Sequence, residues 1–368
     1  MARPRIYLLV VGTVYIFGAG ATKAVAQFAP LNNDLLREAL NLSEPNIAAR
    51  MKEVGEFISR FYLSAANNLP ALEDVLSQLD LALNEGRALS SSYTVDRIRT
   101  IRDNLVYGIA EVLRMSLARD HPSDYQLSQK LYEFVERLKR DDTIVSLNYD
   151  IVIDNKILSL GKPVNYGVPI RNGMESPWNG TWSWQPYIPS EGSCPLYKPH
   201  GSLNWLFCRT CQKLDVTAGM KSTHYIFSDS ALVCPDCGSR YEALIVAPTM
   251  FKSYSNLILA EIWRAVEDRL ANATEVIFVG YSLPDADVHL RCILMRALFK
   301  NRNRVSSPNA PVIRVLEYDT HTPEEYYEGA PNLTHMRYQR LFGDVDFDPT
   351  GFGSYLQRNC KTYRQHMA

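Results

Sequence analysis

Five short apolar runs limit what this chain can fold into. They are "VYIF" ahead of the glycine turn "GAGAT", "TIVSL" at 143–147, "EALIVAP" at 242–248, "EVIFVGYS" at 275–282 and "PVIRVLEYD" at 311–319. Each is nearly continuous, rich in β-branched residues and closed by glycine or polar residues, the pattern of strands buried on both faces of a parallel sheet. Helical stretches at 256–272 and 286–302 separate the later runs, and strand, helix, strand in that order implies a doubly wound α/β fold. The fold class is therefore α/β: a Rossmann-like parallel sheet with helices on both faces.

Two interruptions complete the plan. Between the first and second runs, the segments 46–66, 70–84, 94–118 and 123–140 carry apolar residues at three- and four-residue spacing, so 32–142 reads as an all-helical insertion. Residues 203–241 hold two cysteine pairs and read as a small zinc-binding subdomain. The stretch 160–195, rich in Pro, Gly, Asn and Trp, reads as a loop. The expected unit is 13–355, with 1–12 as an N-terminal extension and 356–368 as a C-terminal tail.

The N-terminus admits two readings. Arg3 and Arg5 precede an uncharged run from Ile6 to Thr22, and "AVA" at 24–26 imitates a cleavage site. Against a signal peptide, the run contains a strand entering a glycine turn, and Lys23 sits where cleavage regions are uncharged. The expectation is a folded strand in a cytoplasmic protein, with no membrane association. A net charge of −1 over 368 residues leaves no global field for polyanions, so nucleic acid is not expected as a partner.

Cys208, Cys211, Cys234 and Cys237 have the spacing C-x2-C-x22-C-x2-C. Two such knuckles complete the tetrahedral thiolate shell that Zn2+ favours, and with every position filled by protein the ion is structural, one per chain. Cys194, Cys292 and Cys360 remain and read as buried thiols.

The other motifs sit at strand ends, the edge at which parallel sheets bind ligands. Gly18, Ala19, Gly20, Ala21 and Thr22 form a turn through which backbone amides can approach a pyrophosphate. Asn148 and Asp150 end the run at 143–147, and His200 lies in a "KPHG" loop. Gly280, Tyr281 and Ser282 end another run, with Asp285 and Asp287 suited to capping the next helix. Glu317 and Asp319 close the last, where a carboxylate can accept from ribose hydroxyls and would repel a 2′-phosphate, favouring NAD over NADP. Singly, each motif also has a bland structural explanation.

In their order, a glycine turn, Asn-x-Asp, His-Gly, four paired cysteines and a late Gly-x-Ser, these motifs resemble the sirtuins. The chain is most similar to the divergent sirtuin-like family found mostly in bacteria, over most of residues 13–355. The resemblance implies NAD+ as ligand, with His200 and Asn148, supported by Asp150, acting at the nicotinamide ribose. It places the turn 18–22 on the pyrophosphate and Gly280, Ser282 and Glu317 at the adenosine half; sirtuins usually carry Asn where Glu317 stands.

Three departures separate the chain from the protein deacylases of that family. "FAPLNND" replaces the usual Gly-Ile-Pro-Asp-Phe-Arg stretch, Leu147 replaces the Gln before Asn148, and "VAPTMFKS" stands where deacylases carry a peptide-binding Phe-Gly-Glu. The resemblance therefore implies an NAD+ glycohydrolase, of the kind that serves bacterial defence against phage by depleting NAD. A protein deacylase and a non-catalytic NAD or ADP-ribose sensor are the alternatives. A toxic NAD hydrolase has to be held inactive, which implies an activating protein partner or a homo-oligomer.

Overall fold

The structure is a computed structural model describing residues 11–62, 68–119, 122–176, 178–189, 191–218, 226, 232–246, 256–285, 287–299, 311–317 and 332–359. A six-stranded, all-parallel sheet forms its centre: β1 (Val11–Phe17), β2 (Thr143–Ser146), β5 (Leu196–Tyr197), β8 (Ala273–Val279), β9 (Val312–Leu316) and β10 (Asp346–Asp348). Their spatial order is β10-β9-β8-β1-β2-β5. The expected Rossmann-like architecture is present, and β1 is central, pairing with β2 on one side and β8 on the other. A signal-peptide reading of this run would remove the strand that joins the two halves of the sheet.

Chain direction reverses at β1. From β1 the chain builds outward through β2 to β5, then returns to the other flank of β1 and builds outward again through β8, β9 and β10. A crevice opens at such a switch point because the connections on either side leave in opposite directions. Val14, Ile16, Phe17, Val276, Ile277 and Phe278 are buried in the sheet's core, as the continuous apolar runs require.

Helices cover both faces. Short α1 (Ala19–Lys23) follows β1, and α2 (Asn32–Leu40), α3 (Pro45–Phe61), α4 (Leu72–Glu85) and α5 (Val95–Leu117) follow it. Pro45 opens α3, where a missing N–H costs nothing, and Gly86 ends α4 in the left-handed conformation. These four helices bury a core of their own, including Val54, Phe57, Leu79, Ile101 and Ile109. The next helix, α6 (Pro122–Arg137), instead contributes Leu131, Phe134 and Val135 to the sheet's core. The remaining helices among the described residues are α7 (Val152–Ser159), α8 (Leu257–Asn272), α9 (Val288–Phe299), α10 (Leu333–Phe342) and α11 (Gly351–Asn359).

Two expectations need correction. The stretch 160–195 is not all loop: β3 (Arg171–Glu175) and β4 (Trp182–Pro186) form an antiparallel hairpin. They join β6 (Trp205–Cys208) and β7 (Lys213–Val216) in a second, mixed sheet of order β4-β3-β7-β6. Nor is 242–248 a strand of the parallel sheet. Glu242 and Ile245 make isolated antiparallel bridges to Phe207 and Gly201, and 247–248 lie outside the described residues. The run's apolar residues divide between two cores, Leu244 in that of the sheet and Ile245 in that of the helical block.

Candidate functional site

Four loops meet where the chain direction switches, each leaving the C-terminal end of a neighbouring strand. They follow β1, β2, β5 and β8 and bring Gly18, Ala19, Thr22, Asn148, Asp150, His200 and Tyr281 around one cleft. Ala29, Pro30, Leu35 and Leu113 supply an apolar wall from the segment after the glycine turn and from α2 and α5.

The polar groups are linked to one another. Asn148 Nδ2 donates to Gly18 O at 2.9 Å and to Thr22 Oγ1 at 3.0 Å. The Thr22 hydroxyl donates to Asp150 Oδ2 at 2.8 Å, while Asp150 Oδ1 accepts from the Val152 amide at 3.0 Å. Thr22 thus bridges the two residues of the Asn-x-Asp motif and ties them to the glycine turn. Fixing both side chains by local bonds pre-organises the cleft.

His200 is 2% exposed, its ring tilted against Trp263 with 5.8 Å between centroids. The His-Gly pairing has a steric cause. Gly201 has φ +87°, and a Cβ there would lie 1.8 Å from Leu244 O, so only glycine lets the loop press against the returning chain. His200 O accepts from Val246 N at 2.9 Å, which fastens the loop from the other side.

Beneath the loop lies a buried lysine that sequence reasoning passed over. Lys198 has no exposed surface, and its Nζ donates to Asp150 O at 2.5 Å and to Asp154 Oδ2 at 3.2 Å. Tyr166 donates to Asp154 Oδ1 at 2.5 Å and accepts from Asn204 Nδ2 at 2.9 Å. Burial, and then the Asp154 charge, hold the Tyr166 hydroxyl well above its ordinary pKa, so it remains a donor. The one sign of this in the sequence is a lysine directly after the apolar pair "LY".

Asp287 is the expected cap, accepting from the Leu290 amide at 3.3 Å at the start of α9. It is also fully buried and lines the cleft, with Tyr281 donating to Oδ2 at 2.8 Å and His200 Nε2 at 3.9 Å from the same oxygen. Asp285, the other expected cap, is exposed and pairs with Arg291 at 2.6 Å.

Five of the residues singled out in the sequence do not line this cleft. The Gly20 amide donates to Gly280 O, and Ala21 is packed in the core. A Cβ on Gly280 would lie 2.3 Å from Ala21 N, so glycine there allows the β1 and β8 turns to touch, and its own amide donates to Leu316 O. Ser282 is exposed further along the edge, its carbonyl accepting from Arg337 at 3.3 Å. Glu317 follows β9 and accepts from Asn332 Nδ2 at 2.7 Å. Asp319 and most of "VAPTMFKS" lie outside the described residues.

The cysteines converge as the spacing required. All four Sγ atoms lie within 4.8 Å of one another, with Cys208 and Cys237 at 3.5 Å and Cys211 and Cys234 at 3.9 Å. Tetrahedral Zn–S bonds of ~2.3 Å place sulfurs about 3.8 Å apart, so the cluster fits one structural zinc. The first knuckle is the β6–β7 turn, and Gly238, at φ +71°, turns the second. Arg171 clamps the β3 hairpin to this lobe, bidentate to Asp215 at 2.7 and 2.9 Å and bonded to Asp236 at 2.9 Å. Of the other cysteines, Cys194 is packed and burial pushes its thiol up to about 12. Cys292 is exposed, contrary to the expectation of burial, and Cys360 lies outside the described residues.

Comparison with known proteins bears on these features. A family model described as the SIR2-like domain matches residues 142–334. No curated protein matches the chain. Among solved structures, a complex of Sir2 with a p53 peptide and NAD+ matches with a TM-score of 0.41 and 11% identity, over 95% of this chain and 93% of that one. A mutant Sir2 homologue in complex with ADP-ribose matches with a TM-score of 0.40 and 12% identity, over 97% and 94%.

Proposed function

The chain belongs to the SIR2-like domain family, and we propose that it is an NAD+ glycohydrolase, releasing nicotinamide and ADP-ribose with water as the acceptor. The observation that carries this reading is the convergence of His200, Asn148 and Asp150 on one cleft at the switch point of the sheet. Water attacks C1′ of the nicotinamide ribose while the glycosidic bond breaks and its electron pair returns to the pyridinium nitrogen. His200 accepts the proton that water loses, the role imidazole most often fills in general base catalysis. Asn148 orients the ribose or the attacking water, and Asp150 holds Asn148 through Thr22. The glycine turn 18–22 meets the pyrophosphate, and Gly280, Ser282 and Glu317 serve the adenosine half along the same edge.

Water rather than acyl-lysine is supported by the wall of the cleft. Ala29, Pro30, Leu35 and Leu113 come from the sequence that replaces the deacylase stretch and from the helical block, so the wall is built from residues other than those that shape a peptide slot in the deacylases. The resemblance extends the reading to defence against phage in a bacterial cytoplasm, with activity released by a protein partner or by self-assembly. Among the described residues no helix is long and apolar enough to cross a membrane.

The test is product analysis after incubation with NAD+, with and without an acetylated peptide. Nicotinamide and ADP-ribose in equal amounts, unaffected by peptide, are expected; acyl-ADP-ribose would assign a deacylase, and binding without turnover a sensor. His200→Ala and Asn148→Ala should each lower nicotinamide release by about 10²–10⁴-fold while zinc content and unfolding temperature stay at the parent values. Parent turnover in His200→Ala would overturn the site.

A further inference from the structure

We infer that Asp287, presented to His200 by the hydroxyl of Tyr281, is a positioning residue for NAD+ cleavage: its carboxylate orients the imidazole and balances the charge that His200 gains on taking a proton from water. The inference rests on the hydrolase reading and adds to it a residue from the opposite side of the switch point.

Its ground is geometric. Asp287 Oδ2 lies 3.9 Å from His200 Nε2, too long for a hydrogen bond in this state but within reach of charge attraction once the ring is protonated. The carboxylate is held in place by two donors, Tyr281 OH at 2.8 Å on the oxygen facing His200 and the Leu290 amide at 3.3 Å on the other. Both members of the pair are almost completely buried, where little water is available to do the same work. A helix cap alone requires neither the second hydrogen bond nor the approach to histidine.

Tyr281 fits the role of a fixed donor. Burial first, and the adjacent Asp287 charge second, hold its hydroxyl well above the ordinary tyrosine pKa, so it stays protonated and keeps the carboxylate aimed. Its backbone is anchored in turn, since Tyr281 O accepts from Tyr338 OH at 2.7 Å. In the reaction, the O–H bond of water breaks as its oxygen bonds to C1′, the proton passes to His200, and nicotinamide leaves neutral. The imidazolium then faces Asp287 until it releases the proton to solvent. Among the described residues, other ionisable groups near the ring include Asp150 and Tyr149 on the β2 loop, which line the same cleft, Lys198 on its own loop and His289 stacked on Trp263.

The test compares Asp287→Asn, Tyr281→Phe and His200→Ala in full-length protein. Asparagine still accepts from Leu290 as a cap, so Asp287→Asn should keep the parent unfolding temperature and NAD+ affinity. It should lower kcat on the order of 10²-fold and move the acid limb of kcat/KM to lower pH, because the imidazolium has lost its negative neighbour. Tyr281→Phe, which leaves the carboxylate in place without its aiming donor, should show a smaller loss in the same direction. Parent kcat and pH profile in Asp287→Asn beside an inactive His200→Ala would overturn the inference alone. Loss of kcat in strict parallel with loss of fold would also overturn it, leaving Asp287 a cap. An active His200→Ala would overturn the hydrolase reading at this site, and the inference with it.

Discussion

The helical block and the zinc lobe hold the same His-Gly loop by different means. The block, α2 to α5, buries a full apolar core, and Leu203 and Ile245 from either side of the lobe are part of it. Among the described residues the zinc lobe has a cluster of its own of only Leu206, Cys208, Cys234 and Tyr241, while Trp205, Phe207, Leu214 and Val216 of its strands pack into the sheet's core. The knuckles around the four cysteines bury little apolar surface of their own, so metal–thiolate bonds would be what holds them. The two meet at Gly201 and Ile245: the lobe's returning chain bridges the His-Gly loop, and Arg102 of α5 donates to Ile245 O at 2.8 Å while paired with Asp80 at 2.5 Å. A change in either region therefore reaches His200 through the same short segment.

The comparison breaks most readily at the metal. Cys234→Ser should lose the single zinc and unfold the lobe, abolishing NAD+ cleavage, while α2 to α5 stay helical; metal analysis with circular dichroism checks this. A stable, active, metal-free variant would place the lobe in the same class as the block. Arg102→Ala should cost about 3 kcal/mol, because Asp80 is left without its partner in a largely buried site, and should slow turnover about tenfold by loosening Ile245 against the loop. Denaturant unfolding with kcat measured alongside tests it, and zinc content should not change. The smallest effect belongs to Arg209→Ala. Arg209 adjoins the ligand Cys208 and pairs with Glu242 at 3.3 Å, but both side chains are exposed. Its removal should stay within about 0.5 kcal/mol with zinc retained, sharpening the view that the lobe is held by metal rather than by surface charge.

What could be read from the residues alone depended on whether the signal was local. The runs at 143–147, 275–282 and 311–319 contain β2, β8 and β9 because continuous apolar character over so few residues suits a doubly covered sheet. The four cysteines assembled because knuckle spacing is a short-range constraint. The run at 242–248 is also largely apolar, but periodicity does not reveal what buries it, and here Leu244 goes to the sheet's core and Ile245 to that of the helical block. The hairpin 171–186 was hidden among loop-forming residues, and β5 spans only Leu196–Tyr197, too short for a pattern.

The sequence by itself determined the fold class, the ligand set of the zinc and the family, since each rests on composition within a window or on fixed spacing. Only the tertiary structure decided which strand ends share a cleft. Asn148 and Thr22 are 126 residues apart, Lys198 and Asp150 48, yet each pair is hydrogen-bonded, because β1, β2 and β5 lie side by side. Asp287 reads locally as a cap, and its approach to His200 exists only because β8 returns to the far flank of β1 and carries the next helix start to the switch point. Pairing across a sheet is set by strand order, which no stretch of sequence contains.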